Sequence, residues 1–340
     1  MIERFIEKEI TLKRWRRYKS NRPACIASVL FLFTLMLTIV SPLIANSEPL
    51  YLNYKGTSYF PVFKDYHPIE FGNNDTLVMD YRALKLNETD SVVWPIVNWN
   101  PSESNDAVDT YPSPPSEENI MGTDDRGRDV FTRILYGFKY SIVFSVAVWL
   151  ISFFIGIVFG GVSGYFGGLF DLVFQRGVEV FSTIPAFLLM IILIDIFGAS
   201  MSILVVISSL FGWVGVSLYV RGEFLKNRKK EFVEAAQGMG AGNTRIIFKH
   251  ILPNSLSPII TFSPFTISGG IMALAQLDYL GFGLPVPTPS WGELLAQAQK
   301  NFTIAWWLAV FPGLALAITL FLLILIGDGV RDAMDPKLSN

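Results

Sequence analysis

The side chains best suited to catalysis or metal binding are few in this sequence and lie far apart. The chain has two histidines, His67 and His250, and one cysteine, Cys25. A metal site needs several such ligands at close spacing, and a disulfide needs a second cysteine, so the sequence predicts neither. It also contains neither an HExxH pattern nor a Ser-His-Asp arrangement. We therefore expect no catalytic residue and no bound metal.

A glycine-rich segment is the candidate for nucleotide binding. Gly238, Gly240 and Gly242 alternate along the chain, but they follow a polar helical pattern rather than a strand, which is the wrong context for a nucleotide loop. The Gly-Lys-Ser/Thr triplet of a P-loop is missing from the sequence. We expect the chain itself to bind no cofactor. Its formal net charge of −2 gives no basic excess that would indicate nucleic acid.

Long apolar runs dominate the rest of the chain. Of its 340 residues 51% are hydrophobic and 16% are charged, against roughly a quarter charged in a typical soluble domain. Runs that approach the roughly twenty residues needed to cross a bilayer as a helix are found at 24–44, 140–162, 181–197, 201–220, 256–277 and 304–326. We therefore predict an all-α polytopic membrane protein with six transmembrane helices. Proline and glycine interrupt the fifth run, as they do in helices that line a cavity.

Lysine and arginine near the span ends predict the orientation. A basic cluster at 13–22 precedes the first run and places the N-terminus in the cytoplasm. That run is longer than a signal-peptide core and lacks a clear cleavage site, so we interpret it as a retained anchor, with a removable signal as the alternative. Six spans then put the C-terminus and the basic loop 221–255 in the cytoplasm. Arg126, Arg128, Arg133 and Lys139 would lie outside, which conflicts with the charge rule.

These spans divide the chain into four parts. We predict a cytoplasmic N-terminus (1–23), a first transmembrane helix (24–44), an external insert (45–139) and a five-helix core (140–340) that contains the loop 221–255. The insert has no apolar run of spanning length, but its tyrosines and phenylalanines predict some packed structure. It is either a small cap on the spans or a surface contacted by a substrate-delivery protein.

Four glycines recur at every fourth position of the second span and its continuation: Gly156, Gly160, Gly164 and Gly168. This spacing places small residues on one face of a helix and predicts close packing against another helix.

The loop 221–255 has an ordered pattern. Residues 232–239 predict a short helix, the glycines at 240 and 242 predict a turn, and Asn243 is positioned to cap a second helix that Pro253 stops. Ala235 and Ala236 are expected on the surface, where small side chains allow close docking into a groove of another protein. The alternative is a polar loop that folds onto its own spans.

The spacing Glu234-Ala235-Ala236-x3-Gly240-x9-His250-x-Leu252-Pro253 resembles the EAA motif of ABC-importer permeases. A histidine at position 250 is typical of the peptide-importer branch, which handles dipeptides, oligopeptides or nickel. The segments 122–130 and 280–292 also resemble that branch, so the resemblance covers about residues 121–340. The first span and the long insert resemble most the microcin C and oligopeptide permeases.

This resemblance implies a type I ABC-importer permease fold in the bacterial inner membrane. The chain would pair with a second permease subunit and form half of a pathway for oligopeptides or peptide-like compounds of the microcin C type. Two ATPase domains would dock on the loop 221–255 and use the ATP, and a periplasmic binding protein would deliver the substrate. The motif residues from Glu234 to Pro253 would couple the ATPases to the spans. His250 is either a contact to the ATPase or a helix residue satisfied within the chain.

Two other functions stay open at this point. A permease for nickel or another metal chelate would carry the same motifs. A membrane scaffold without a pathway is the second alternative, but a scaffold has no need of an ATPase-docking loop. The residues that bind substrate are not identified by the sequence.

Overall fold

The structure is a computed structural model that describes residues 9–72, 77 and 79–334. The chain divides into two compact units. The core unit comprises Met1–Phe31, Ser141–Pro285 and Leu316–Asn340. The insert unit comprises Leu32–Tyr140 and Val286–Ala315.

Helices make up most of the described chain. In order they are α1 (Glu9–Ser20), α2 (Arg22–Ile39), α3 (Ser41–Ile44), α4 (Val130–Phe166), α5 (Gly168–Ser182), α6 (Ala186–Phe197), α7 (Met201–Asn227), α8 (Glu231–Gly238), α9 (Asn243–Arg245), α10 (Leu252–Ile260), α11 (Ser263–Tyr279), α12 (Trp291–Lys300) and α13 (Trp306–Met334). A π-helical turn, Ile246–Ile251, joins α9 to α10.

Within the described residues, five helices are long and apolar enough to cross a membrane: α2, α4, α7, α13 and the helical segment Pro258–Tyr279. Helix α4 has 37 residues, which at 1.5 Å per residue gives about 55 Å, well beyond a hydrocarbon core of about 30 Å. The helix that carries the second span therefore begins inside the predicted insert 45–139, with its first residues 130–139 preceding the predicted span.

The third span differs from its prediction. A continuous helix over 181–197 is wrong, because α5 and α6 meet at an angle of 73°. Pro185 lies at the break; it has no backbone N–H and disfavours helical geometry at the residue before it. Helix α6 alone, with 12 residues, reaches only about 18 Å. The third predicted span is therefore present only if this bent pair counts as one span, which would bring the total among the described residues from five to six. Residues 168–180, predicted as part of a turn, belong to α5.

Glycine allows α4 and α7 to approach closely in the core unit. A Cβ atom placed on Gly160 would lie 2.3 Å from the carbonyl oxygen of Ser217, and one on Gly164 would lie 2.7 Å from that of Arg221. At Gly156 it would lie 2.6 Å from the side chain of Val216. The prediction is wrong for Gly168, which lies beyond the end of α4 with a φ of +58° and has open space around it.

The insert unit contains a small antiparallel sheet, formed by β1 (Tyr51–Tyr54), β2 (Thr57–Tyr59) and β3 (Ser91–Val93) in the order β2-β1-β3. Leu52 pairs with Tyr59 on one side and with Val92 on the other. Leu52 and Tyr54 pack on Phe71 and Tyr81, so packed structure is present where the aromatic residues predicted it. Helix α12 of the same unit is capped by Ser290, whose hydroxyl accepts from the amides of residues 292 and 293.

Candidate coupling loop

The loop after α7 begins with a short helix whose sequence suits its position. Lys230 is extended at the N-cap of α8, and Glu231 and Glu234 occupy the first turn. Acidic side chains at a helix N-terminus are favoured by the helix dipole. The helix predicted over 232–239 is thus present as Glu231–Gly238.

Gly240 reverses the chain after α8. Its φ is +78°, a left-handed conformation that costs an ordinary L-residue about 1–2 kcal/mol. The amide of Ala241 donates to the carbonyl oxygen of Ala236 at 3.0 Å, and that of Gly240 donates to the carbonyl of Gln237 at 2.9 Å. The predicted glycine turn is therefore present.

The second half of the loop differs from its prediction. Gly242 occupies the N-cap of α9, and the side-chain oxygen of Asn243 instead accepts from the Tyr165 hydroxyl at 2.8 Å. Pro253 does not stop the helix: it lies in the first turn of α10, where the missing N–H of proline is tolerated. The carbonyl oxygen of His250 accepts from the side-chain amide of Asn254 at 2.7 Å.

An apolar cluster holds the loop to its spans. Its buried members are Val220, Phe224, Val233, Ala236, Ile246, Ile251 and Ile259. Ala236 is only 1% exposed, so the expectation that it lies on the surface is wrong. On α8 the buried positions, Val233 and Ala236, are three residues apart, the spacing that places side chains on one helix face.

The opposite face of the loop is exposed and partly apolar. Glu234 and Ala235 are exposed, as are Met239 (80% exposed) and Phe248 (64% exposed). We call these four residues the loop face. Large apolar side chains open to solvent beside small residues are typical of protein contact surfaces. The sequence alone did not predict that Met239 and Phe248 are exposed. The position of Met239 directly before the glycine turn could have indicated it.

Ionic contacts fix the end of α7 from which the loop begins. The guanidinium of Arg221 pairs with the carboxylate of Asp171 on α5, with Nη2 and Oδ2 2.6 Å apart. The Ser163 hydroxyl contacts the same carboxylate. Arg228 donates to the carbonyl oxygens of Gly164 and Tyr165 at 3.3 and 3.0 Å, and these bonds satisfy carbonyls at the C-terminus of α4.

A charged cluster in the insert unit includes two residues of the segment 122–130 and two residues, Arg133 and Glu293, that lie just beyond the segments 122–130 and 280–292. Asp124, Arg128 and Arg133 are at most 2% exposed, and Glu293 on α12 completes the set. One Nη of Arg128 lies 2.6 Å from an Asp124 oxygen and 2.9 Å from a Glu293 oxygen. Arg133 contacts the other Glu293 oxygen and donates to the carbonyl of Pro101 at 2.8 Å. We call these four residues the insert charge cluster.

Two tryptophans and a carboxylate surround this cluster. The ring N–H of Trp291 donates to the carbonyl of Ile134 at 2.9 Å, and that of Trp307 donates to Thr123 at 3.0 Å. Asp129 caps α4 by accepting from the amide and hydroxyl of Thr132, both at 2.8 Å. Burial raises the pKa of the Asp129 carboxyl despite these hydrogen bonds.

Arg128 and Arg133 therefore do not count against the predicted orientation. Both were counted against the predicted orientation, but each is buried against a carboxylate, so they do not act as free positive charges at a membrane surface. Among the described residues no group of three or more His, Cys, Asp or Glu side chains is arranged to hold a metal ion.

Apolar helices of spanning length and a folded loop between two of them define a polytopic membrane protein. A family model described as the binding-protein-dependent transport system inner membrane component matches residues 156–340. The chain belongs to this family, whose members are inner-membrane transport subunits that work with ATPases and other subunits.

Individual relatives extend the match to nearly the whole chain. The chain is 40% identical over 329 residues to the inner membrane ABC transporter permease protein YejE of Escherichia coli K12, covering 95% of this chain and 96% of that protein. It is 35% identical to the peptidoglycan transport system permease protein YejE of Agrobacterium fabrum, over 96% and 93% of the two chains. The dipeptide transport system permease protein DppC of Bacillus subtilis is 38% identical over 66% of this chain and 71% of its own length. The predicted resemblance to ABC-importer permeases of the peptide branch is confirmed.

Proposed function

We propose that this chain is the permease subunit of an ABC importer and forms half of the translocation pathway for oligopeptides or peptide-like compounds. Relatives that match it over most of its length include permeases named for peptidoglycan and dipeptide transport. The observation that carries the proposal is the loop 221–255, whose exposed face is partly apolar and whose other face packs in a buried apolar cluster. A membrane scaffold without a pathway would not need an ATPase-docking loop.

The loop face is the proposed docking surface for the ATPase. Met239 and Phe248 supply apolar area, Ala235 allows close approach, and Glu234 adds a charge at the edge. Burial of apolar area of this kind is the main source of affinity in protein contacts, where a few central side chains carry most of it. The chain has no P-loop of its own, so ATP hydrolysis belongs to separate subunits.

The remaining partners follow from this role. A second, different permease subunit would complete the pathway, two ATPase domains would dock on the cytoplasmic loops, and a periplasmic binding protein would deliver substrate. The basic residues of α1 and of the loop 221–255 support a cytoplasmic location for both. The insert 45–139 would then lie in the periplasm.

Cysteine labelling tests this orientation. In a Cys25→Ser background, Glu88→Cys in the insert unit and Lys229→Cys in the loop place single thiols at exposed positions. A membrane-impermeant maleimide added to intact cells should label position 88 and leave position 229 unlabelled until the membrane is opened. Labelling of position 229 from outside would contradict the orientation.

Transport itself is tested in vesicles that contain the chain, its partner permease and the ATPases, with the binding protein added. Oligopeptide uptake should require ATP. The same vesicles should take up neither nickel nor a nickel chelate. The variant Met239→Glu should lower ATPase retention about tenfold, because it removes one large apolar contact. The matched control is Leu77→Glu, which also replaces an apolar side chain by glutamate, at a 92% exposed position of the insert unit. This variant should retain the ATPases. Nickel uptake without peptide uptake would overturn the proposal.

A further inference from the structure

A cavity of about 240 Å³ lies in the core unit beside α4, α7 and the junction of α10 with α11. Four aromatic rings line it: Trp149, Phe153, Tyr219 and Phe262. Gly215 and Thr266 are also part of its wall. We call it the aromatic cavity.

The wall of the aromatic cavity is mostly apolar, although two of its residues, Trp149 and Ser263, each have a buried polar side-chain atom without a hydrogen-bond partner among the described residues. Its rings contact one another in pairs. The centroids of Tyr219 and Phe262 are 4.5 Å apart in an edge-to-face arrangement, and those of Trp149 and Phe153 are 5.4 Å apart. The hydroxyl of Thr266 is used within its own helix, where it donates to the carbonyl of Ser263 at 2.9 Å. None of the described residues that line the cavity is charged. An ionised ligand group would lose its hydration there without compensation, whereas an apolar ring gains contact with other rings.

The position of the cavity along the helices fits a transport pathway. Trp149 and Phe153 are near the centre of the span predicted at 140–162. Helix α10 ends at Ile260 and α11 begins at Ser263, and Pro264 has no N–H to continue the helical ladder. Interrupted helices at membrane depth are tolerated where they line a cavity, and the substrate sites of membrane transporters occur at such interruptions.

The size of the cavity limits its occupant. It is smaller than the roughly 300–1,000 Å³ of pockets that enclose a drug-sized ligand, so it holds one side chain rather than a whole peptide. Gly215 contributes to this space, because a Cβ atom at that position would meet no atom within 4 Å. A larger residue there would fill the cavity without a clash in the fold.

We propose that the aromatic cavity binds one aromatic or branched apolar side chain of the peptide as it crosses the membrane. This inference rests on the proposed function and makes it more specific: the pathway prefers peptides with at least one large apolar residue. A lipid tail or a side chain of the partner permease would be the competing occupant of an apolar cavity.

The first test fills the cavity in the assembled transporter. Gly215→Leu is compared with Gly222→Leu, which lies on the same helix, also has open space around its Cβ position and does not line the cavity. Uptake is measured for peptides that differ in one residue: phenylalanine, leucine, serine or lysine. Gly215→Leu should lower uptake of the phenylalanine peptide about tenfold relative to the serine peptide, the effect expected from loss of one buried aromatic contact. Gly222→Leu should leave that ratio unchanged.

The outcomes separate this inference from the proposed function. If Gly215→Leu lowers uptake of all four peptides equally, the cavity holds a lipid tail or a partner side chain, and the inference is wrong while the proposed function stands. If the parent transporter imports none of the peptides, the proposed function fails and the inference falls with it.

A second test needs no variant to fold. A peptide that carries benzoylphenylalanine is irradiated in vesicles during ATP-driven uptake, and the cross-linked fragments of this chain are identified by mass spectrometry. Cross-links should fall on the segments around Tyr219 and Phe262, and excess phenylalanine peptide should suppress them more than serine peptide. Cross-links confined to other segments would overturn the proposal.

Discussion

The insert charge cluster and the apolar cluster under the coupling loop hold their segments by opposite means. In the insert unit, two arginines and two carboxylates meet at short distances; Asp124, Arg128 and Arg133 are nearly fully buried, and the Glu293 side chain is 18% exposed. Under the loop, buried aliphatic and aromatic side chains around Ala236 have no ionised member. Charge pairs depend on exact geometry, because a displaced partner leaves an uncompensated buried charge. Apolar contacts are non-directional and depend mainly on buried area.

This difference suits two mechanical roles. Charge pairs lose their stabilisation when they are displaced, which suits a frame that keeps the insert folded. Apolar contacts can shift by small steps at low cost, which suits a loop proposed to transmit motion. The glycine turn keeps the shape of that loop's exposed face.

The largest effect is expected at Arg133. Arg133→Met leaves the buried carboxylate of Asp124 and the partly buried carboxylate of Glu293 with one guanidinium fewer, and removal of one partner of a buried ion pair costs about 3–5 kcal/mol. The purified chain should unfold at a clearly lower temperature. Arg126→Met is the control, since the Arg126 side chain is 53% exposed and its loss should be nearly neutral. Equal melting temperatures for Arg133→Met and the parent would show that the cluster is not a frame.

A pair of neighbouring alanines tests the apolar cluster. Ala236→Glu places a carboxylate among buried apolar side chains, at a cost of about 3 kcal/mol or more if it stays charged. Ala235→Glu places the same group on the exposed loop face and should leave the loop folded. Amide hydrogen exchange of α8 should accelerate strongly in the first variant and little in the second. Similar exchange in both would mean that Ala236 is not buried.

The α4–α7 contact provides an intermediate effect. Gly160→Leu forces a side chain against the Ser217 carbonyl, and overpacking of this kind costs about 1–3 kcal/mol. Gly177→Leu on α5 is the control, because its Cβ would meet no atom within 4 Å. Only the first variant should lower the amount of assembled transporter in the membrane. Normal assembly of Gly160→Leu would contradict the observed close approach.

The smallest effect is a pH dependence at Asp129. Its folded pKa is raised by burial, so its contribution to stability is complete below the unfolded value of about 3.9 and is lost as the pH rises through the folded pKa. The melting temperature of Asp129→Asn, relative to the parent, should therefore rise from pH 4 to pH 7.

Asp90 provides the opposite sign for comparison. Backbone hydrogen bonds from Asn87 and Lys55 lower its pKa, so its contribution is present at neutral pH and is lost as the pH falls through the lowered pKa. The melting temperature of Asp90→Asn, relative to the parent, should therefore fall as the pH rises from about 2 to about 5, across the unfolded value of about 3.9. Parallel pH profiles for the two variants would contradict the assigned environments.

The spans and the glycine turn could be predicted from the sequence because each depends on local pattern. The run 201–220 lies within α7, and Gly240 adopts the left-handed conformation that its position between two helices required. The bend at Pro185 was missed because the apolar run continues through it. The burial of Ala236 was missed because the face of a short helix depends on what it packs against.

The insert charge cluster could not be derived from local pattern. Arg128 and Glu293 are 165 positions apart in the chain, and a sequence read without the fold counts them as separate surface charges. Only the structure joins Arg128, in the segment 122–130, to Glu293, which directly follows the segment 280–292. The aromatic cavity likewise depends on residues from three separate helical segments.

The most direct test of the account is the coupling ratio of the transporter when the glycine turn is altered. Gly240→Val should oppose the φ of +78°, whereas Gly240→Asn tolerates it, and Gly242→Val, at a φ of −71° with open space around it, controls for added bulk. Peptide imported per ATP hydrolysed is measured in vesicles with equal amounts of inserted chain. The account predicts a ratio several-fold below the parent for Gly240→Val and near-parent ratios for the other two. An unchanged ratio in Gly240→Val would contradict the claim that this loop couples the ATPases to the spans.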